Sequence, residues 1–295
     1  MVPIKATLGT MQKSLRATTA LLAAGGLLLT ATACASSDSK DSDAELGAQK
    51  KISIVASTSI WADVAQAVAD TASGVDIEVK PIVEGNGVDP HHFEPSAADI
   101  ARAEDADVLV VNGGGYDSWI YQAVSEQDNI ISALPLTDHG KLADDPSVTT
   151  IDAAKATAKK DPKQVTNIEG NEHIWYDPAA LDEVAGSIAD QINELNTDAN
   201  ASTERVDSHV DRLRDKLKEL PGDLSYAQTE PIADYIMKYT SGKDVTPEGY
   251  RKATISEGEP TAADLAAFTK AIKEDKVDML IFNPVSYTHL RAHET

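Results

Sequence analysis

The chain has 295 residues, enough for one large or two modest domains around a substantial buried core. Its 48 acidic against 26 basic side chains give a formal net charge of −22 at pH 7, which argues against nucleic acid as a partner, because phosphate backbones require clustered Lys and Arg. A single cysteine excludes an intrachain disulfide and any cysteine-built metal centre.

The first 33 residues carry Lys5, Lys13 and Arg16 and no acid. Ala17 to Ala33 is an apolar, small-residue run, too short and too rich in Gly and Ala for a good membrane span. This predicts an export signal over residues 1–33, begun at Met1 or at Met11. The run ends in Ala31-Thr32-Ala33-Cys34, which resembles the lipobox of bacterial lipoproteins, with Ala31 where Leu is usual. That resemblance implies that Cys34 becomes the acylated first residue of a chain held outside the cell membrane by its lipid. Residues 34–50 are Ser, Asp, Lys and small side chains with almost nothing to bury, and are expected to be a flexible tether.

The folded part is expected from Lys51. Residues 51–56 read as a strand, followed by the capping cluster Ser57-Thr58-Ser59 and a helix with Ile60, Trp61, Val64 and Val68 on its apolar face, ended by Gly74. A second strand is expected over 75–83, a short helix over 96–106, and a buried strand over 107–112 closed by Gly113-Gly114-Gly115. Residues 138–171 are polar and weakly patterned, a surface excursion with no His-rich segment. Leu181, Val184, Ile188, Ile192 and Leu195 recur at helical spacing after Pro178, and Val206, Val210, Leu213, Leu217 and Leu220 do so again. The second of these helices, charged on its other faces, has the character of a joint between two domains. Beyond Pro221-Gly222 a strand is expected over 224–227, helices over 231–240 and 262–274, and a strand over 277–282. Strands alternating with helices predict parallel sheets covered on both faces.

The last residues, Val285 to Thr295, place His289 and His293 one helical turn apart, a spacing that suits a zinc pair. The peptide also resembles the translation of a sequencing-library adapter, and residues 285–295 are read as that artefact and set aside. Two other histidines stand in sharp local contexts. Asp89-Pro90-His91-His92-Phe93-Glu94-Pro95 falls between a strand and a helix, where ligand sites of open α/β sheets lie. Asn171-Glu172-His173-Ile174-Trp175-Tyr176-Asp177-Pro178 ends a loop just before a helix, and the prolines stiffen both loops. Imidazole and carboxylate together suit Zn²⁺ and related ions. Spacing alone leaves these histidines undecided between ligands and ordinary exposed residues.

His91-His92-Phe93-Glu94-Pro95, Asn112-Gly113, His173-Ile174-Trp175 with Asp177-Pro178, and Thr229-Glu230-Pro231 fall in the order seen in the zinc and manganese ABC-transporter substrate-binding proteins, also called adhesion lipoproteins. The chain resembles that family from about Lys51 to Pro284. The resemblance implies an α/β fold of two Rossmann-like lobes with parallel sheets, joined by a long helix, with one metal in the cleft held by two side chains from each lobe. It implies an N-terminal lobe over 51–197, a connecting helix over 198–220 and a C-terminal lobe over 221–284, truncated. His91 would be the first ligand, with His92 its neighbour and alternative, and His173 the second. Glu230 would be the third; its competing role is a negative charge at a helix N-terminus, favoured by the macrodipole. The fourth ligand would fall beyond Pro284.

The expected function is capture of Zn²⁺ or Mn²⁺ as cargo and its delivery to an ABC importer permease, by a monomer anchored to the membrane through lipid. Two imidazoles with carboxylates lean toward Mn²⁺ and a third imidazole would lean toward Zn²⁺, while intrinsic affinity favours Zn²⁺, so the ion is left as either. An enzyme is not expected: no His-Glu-x-x-His and no nucleophile elbow is present. A metal-dependent surface adhesin is the alternative function, and a carrier of an organic metal chelate is a third reading that Phe93 and Trp175 alone are too few to support.

Overall fold

The computed structural model describes residues 51–85, 88, 90–125, 128–138, 170–255 and 258–283. By internal contacts the chain divides into Met1–Leu46 and Gly47–Thr295, and every described residue belongs to the second unit. The export signal, Cys34, the tether, most of the polar excursion, Pro284 and the C-terminal peptide lie outside the described residues, and His92 is described by its backbone only. No helix among the described residues is long and apolar enough to cross a membrane.

Four strands, β1 (Ile52–Thr58), β2 (Ile77–Val83), β3 (Val108–Val111) and β4 (Ile130–Ser132), form a parallel sheet in the order β2-β1-β3-β4. Ile54 of β1 sits opposite Val79 of β2 on one side and Val108 of β3 on the other. Central β1 and β3 are almost wholly buried, which is why they read as continuous apolar runs rather than as alternation. Edge strand β2 is half-exposed and accommodates Pro81, whose missing N–H costs least at an edge.

Helix α1 (Ser59–Ala69) buries Trp61, Ala65 and Val68 against this sheet. Ile60 does not share that face as expected. It is 37 % exposed, because neighbouring residues on a helix point about 100° apart and Trp61 takes the inward position. The helix also stops at Ala69, with Asp70 as its cap, before Gly74 turns the chain at φ +66. Helix α2 (Ala97–Glu104) begins with a reciprocal cap in which Ser96 Oγ accepts from Asp99 N and the Asp99 carboxylate accepts from Ser96 N. The short α3 (Ser118–Tyr121) and β4 add to the expected elements, and both are below the length at which periodicity can speak.

Helix α4 (Pro178–Leu195) sets Pro178 in its first turn, is capped by Asp177, and buries Val184, Ile188 and Ile192 completely. Helix α5 (Glu204–Lys218) packs on both α4 and α1 through Val206 and Val210, with Arg214 paired to Asp182 at 2.8 Å.

A second parallel sheet, β6-β5-β7, is built from β5 (Ser225–Gln228), β6 (Lys243–Asp244) and β7 (Met279–Ile281). The continuous helix expected over 231–240 is a 3₁₀ turn at Pro231–Ala233 followed by one turn of α6 (Asp234–Met237). The physical reason lies in its start. Ala233 N donates to the Gln228 side chain and the Pro231 carbonyl accepts from Asn171, so side chains rather than helix bonds satisfy this backbone. Helix α7 (Glu248–Ile255), a further addition to the expected elements, stacks Tyr250 on Phe268 of α8 (Ala262–Lys273) at 4.3 Å. Two α/β lobes with parallel sheets are the expected fold class.

Candidate metal site

His91 sits in the 3₁₀ turn Pro90–His92, which follows the carboxyl end of β2 and precedes α2. The turn is anchored by Trp119, whose indole N–H donates to the Pro90 carbonyl at 2.8 Å while its ring meets Phe93 edge-on. The His91 ring itself packs edge-on to Tyr116, 4.8 Å between centroids, and its Nε2 contacts the carboxylate Oε1 of Glu172.

Glu172 and His173 are carried by the segment that leads into α4, and the end of β3 holds that segment down. Asn112 Nδ2 donates to the Glu172 carbonyl at 3.0 Å, while Asn112 Oδ1 accepts from the Trp61 indole at 3.2 Å. Asn112 is held in turn by Asp117, whose two carboxylate oxygens accept from the backbone N–H groups of Asn112 and Gly113 at 2.6 and 2.9 Å. Gly113 has φ +73, and a Cβ there would overlap the Leu134 carbonyl and the Ser132 hydroxyl. The Asn112-Gly113 pair thus works as a clamp: the amide holds the His173 segment, and the missing side chain lets β4 come close. Burial pushes the Asp117 carboxyl up to about 6, against the pull of its hydrogen-bond donors.

His173 is oriented by its neighbour Asn171. Asn171 Oδ1 accepts from the His173 backbone N–H at 2.9 Å and faces His173 Nδ1 at 2.7 Å. The amide's orientation follows from its Nδ2, which faces two groups that accept, the Pro231 carbonyl at 2.5 Å and the Asp234 carboxylate at 3.1 Å. Nδ1 therefore carries the ring proton, and Nε2 keeps the lone pair that a metal takes. Burial, reinforced by the nearby His91 ring and opposed by Asp234, lowers His173 to about 4, so the ring is neutral across the ordinary pH range. Trp175 meets both His173 at 5.1 Å and Tyr116 at 4.8 Å, so an aromatic wall runs from one imidazole to the other.

Glu230 lies in the turn between β5 and α6, the strand-to-helix position expected for it. Its carboxylate accepts from Asn283 Nδ2 at 2.9 Å, and its charge raises Tyr250, though less than burial does. The structure thus sets His91 and His173 close together on the first lobe. Glu230 stands on the second, tied to them through the Asn171 bond to Pro231. Among the described residues no three His, Cys, Asp or Glu side chains are gathered as a ready metal cage.

Sequence reasoning passed over Glu172, Asn171, Tyr116 and Asp117. Glu172 and Asn171 stood in the quoted run beside His173, but nothing local distinguishes a carboxylate that meets an imidazole 81 positions away.

The family model described as the periplasmic component A of the zinc-uptake complex matches residues 54–291. The chain belongs to this family. It is a family of substrate-binding transport components rather than of enzymes. Among curated relatives, the metal ABC transporter substrate-binding lipoprotein FimA of Streptococcus parasanguinis is 24 % identical over 238 residues, 79 % of this chain and 72 % of its own. The manganese ABC transporter substrate-binding lipoprotein PsaA of Streptococcus pneumoniae is 23 % identical over 235 residues, covering 78 % and 72 %. Among solved structures, the laminin-binding protein Lmb of Streptococcus agalactiae, described as bifunctional with adhesin and metal-transporting activity, aligns with a TM-score of 0.55 at 18 % identity over 82 % of this chain and 85 % of its own. The metal-dependent lipoprotein YcdH of Bacillus subtilis aligns with a TM-score of 0.51 at 18 % identity, covering 78 % of each chain. At these identities the structural likeness is one of fold, and it agrees with the two parallel-sheet lobes.

Proposed function

We propose that this member of the zinc-uptake family is an extracytoplasmic carrier that captures Zn²⁺ or Mn²⁺ and hands it to the permease of an ABC importer, without a chemical step. The observation that carries the reading is the His173 ring, kept neutral by burial and turned by Asn171 so that Nε2 bears its lone pair. His91 is the second imidazole, and Glu230 offers the second lobe's carboxylate. An ion bound to both lobes would draw them together, which is the physical basis of a carrier that signals its load. Family membership and the names of the manganese and metal lipoprotein relatives support the cargo. The lipobox-like Cys34 supports a lipid anchor at the outer face of the membrane, and the tether after it would raise the carrier's concentration near the permease. The carrier is proposed to act as a monomer. An adhesive role finds support only in the Lmb description, a likeness in fold.

The test is to load the chain with equimolar Zn²⁺ and Mn²⁺ and measure bound metal by native mass spectrometry, beside a His91→Ala, His173→Ala double variant. About one ion on the parent chain and none on the variant is expected, and the ion found names the preferred cargo. Equal metal on both would remove these histidines from the site, and no metal on the parent chain would remove the carrier reading.

A further inference from the structure

We propose that Arg251 and Asp234, both on the second lobe, are positioning residues for the His173 ligand, acting through the side-chain amide of Asn171. The inference rests on the carrier reading and deepens it, since it names what sets one ligand of that site.

The bonds form an unbroken series. Arg251 on α7 presents its guanidinium to Asp234 as a fork, Nη1 to Oδ1 at 2.9 Å and Nη2 to Oδ2 at 2.8 Å. Asp234, at the start of α6, also accepts from Asn171 Nδ2 at 3.1 Å through Oδ2. Asn171 then accepts the Nδ1–H of His173 at 2.7 Å through its other arm. The three supporting side chains come from three separate segments of the chain, 171, 234 and 251.

Each link is chemically directional. Asp234 is 7 % exposed, and a buried carboxylate needs compensation, which the guanidinium supplies with the geometry that only an Arg fork offers. A carboxylate at that place attracts N–H donors and repels carbonyl oxygens, so it acts with the Pro231 carbonyl, which accepts from the same Nδ2 at 2.5 Å, to select the Asn171 orientation in which Nδ2 faces the second lobe and Oδ1 faces the imidazole. That orientation is the one that puts the proton on His173 Nδ1. The partner of a ligand's non-coordinating nitrogen governs ring orientation and donor strength, and losing such a partner typically costs about 10–100-fold in metal affinity. Because Arg251 and Asp234 lie on the lobe opposite His173, the same series makes ligand geometry depend on how the lobes meet. A plain strut between lobes would have no need to end on a ring nitrogen.

The experiment uses the full chain as Arg251→Gln, as Asn171→Ala, and as the double variant, with Zn²⁺ affinity measured by competition against a chromophoric chelator. Long-range ¹H–¹⁵N spectra of the metal-free proteins report the His173 tautomer. Arg251→Gln is expected to weaken Zn²⁺ binding about tenfold in the parent background and to have no further effect once Asn171 is Ala, because its route to the ring is gone. The parent ring is expected as the pure Nδ1–H form, and Arg251→Gln as a mixture. Unchanged affinity in Arg251→Gln, or the same loss in both backgrounds, would overturn the proposal. If Arg251→Gln does not fold, Arg251→Lys is read in its place, since it keeps the charge and loses the fork. A parent chain that takes up no Zn²⁺ defeats the carrier reading, yet the tautomer of its metal-free form still decides this one: an Nε2–H ring sinks it.

Discussion

Glu172 is the acid that meets a candidate ligand directly, its Oε1 against His91 Nε2. An ion arriving at that nitrogen comes beside a largely buried negative charge, where attraction is screened little by water. Glu172→Gln keeps the shape and removes the charge. It is expected to weaken Zn²⁺ and Mn²⁺ binding by about an order of magnitude, on the scale of one close charge in a partly desolvated site; calorimetric titration would show it. Tighter binding in Glu172→Gln would mean instead that the carboxylate blocks the nitrogen. Asp117 is the second residue whose environment decides its behaviour. Its carboxyl is raised to about 6, so between about pH 4 and pH 6 the folded chain keeps a proton that the unfolded chain has released. Stability contributed by this group is therefore complete below that window and lost as pH rises through it, on the order of 2–3 kcal/mol. Asp117→Asn stays uncharged at every pH. Denaturant titrations at about pH 4 and pH 7 are expected to show the parent chain losing its advantage over Asp117→Asn as pH rises, and parallel behaviour of the two would contradict the assignment.

At the scale of elements, the clamp at the end of β3 is the most exposed to damage. Gly113→Ala asks a left-handed residue to carry a Cβ into a backbone carbonyl, and the Leu134 carbonyl, just beyond β4, cannot rotate away as the Ser132 hydroxyl could. A cost of about 3 kcal/mol or more is expected, from strain and overlap together, with weakened metal binding because Asn112 shifts with its neighbour. A thermal melt and a metal titration of the variant measure the two effects, and a melt within error of the parent chain would refute the first. Much of this architecture could be read in advance. The runs of β1 and β3, the stripes of α4 and α5, and the loop positions of His91, His173 and Glu230 are local signals, each contained within a few turns or strands. What escaped was short or distant. Three residues of β4 and four of α3 hold no periodicity to detect. The break of α6 depends on Asn171, 60 positions from the Pro231 carbonyl it engages. Apolarity alone does not give Ile60 its direction, since only the spacing from Trp61 to Ala65 and Val68 marks the inward face.

At the scale of the whole described unit, the two lobes are unequally built. The first packs Ile52, Ile54, Trp61, Ile188 and Ile192 into one continuous core with the stripes of α4 and α5. The second is held by two small groups, Tyr226 with Ala233 and Met237, and Ala227 with Tyr250 and Phe268. Its firmest attachments are to the first lobe. Tyr235 is fully buried in that lobe's core and donates to the Asn171 carbonyl at 2.6 Å, while buried Asp177, the cap of α4, accepts from Lys238 at 2.5 Å and Tyr239 at 2.7 Å. Regions with little buried apolar surface open first, so backbone amides of β5 and β7 are expected to exchange with deuterium well before those of β1 and β3. A metal held by His91 and His173 on one side and Glu230 on the other must be released before the second lobe can open, and at a free concentration 1,000 times its dissociation constant this adds about 4 kcal/mol to that opening. Exchange in β5 and β7 should then slow by about a thousandfold on loading and recover with chelator. Protection confined to the first lobe would leave both histidines as ligands and strike Glu230 from the site, because an ion that does not touch the second lobe has no means of holding it shut.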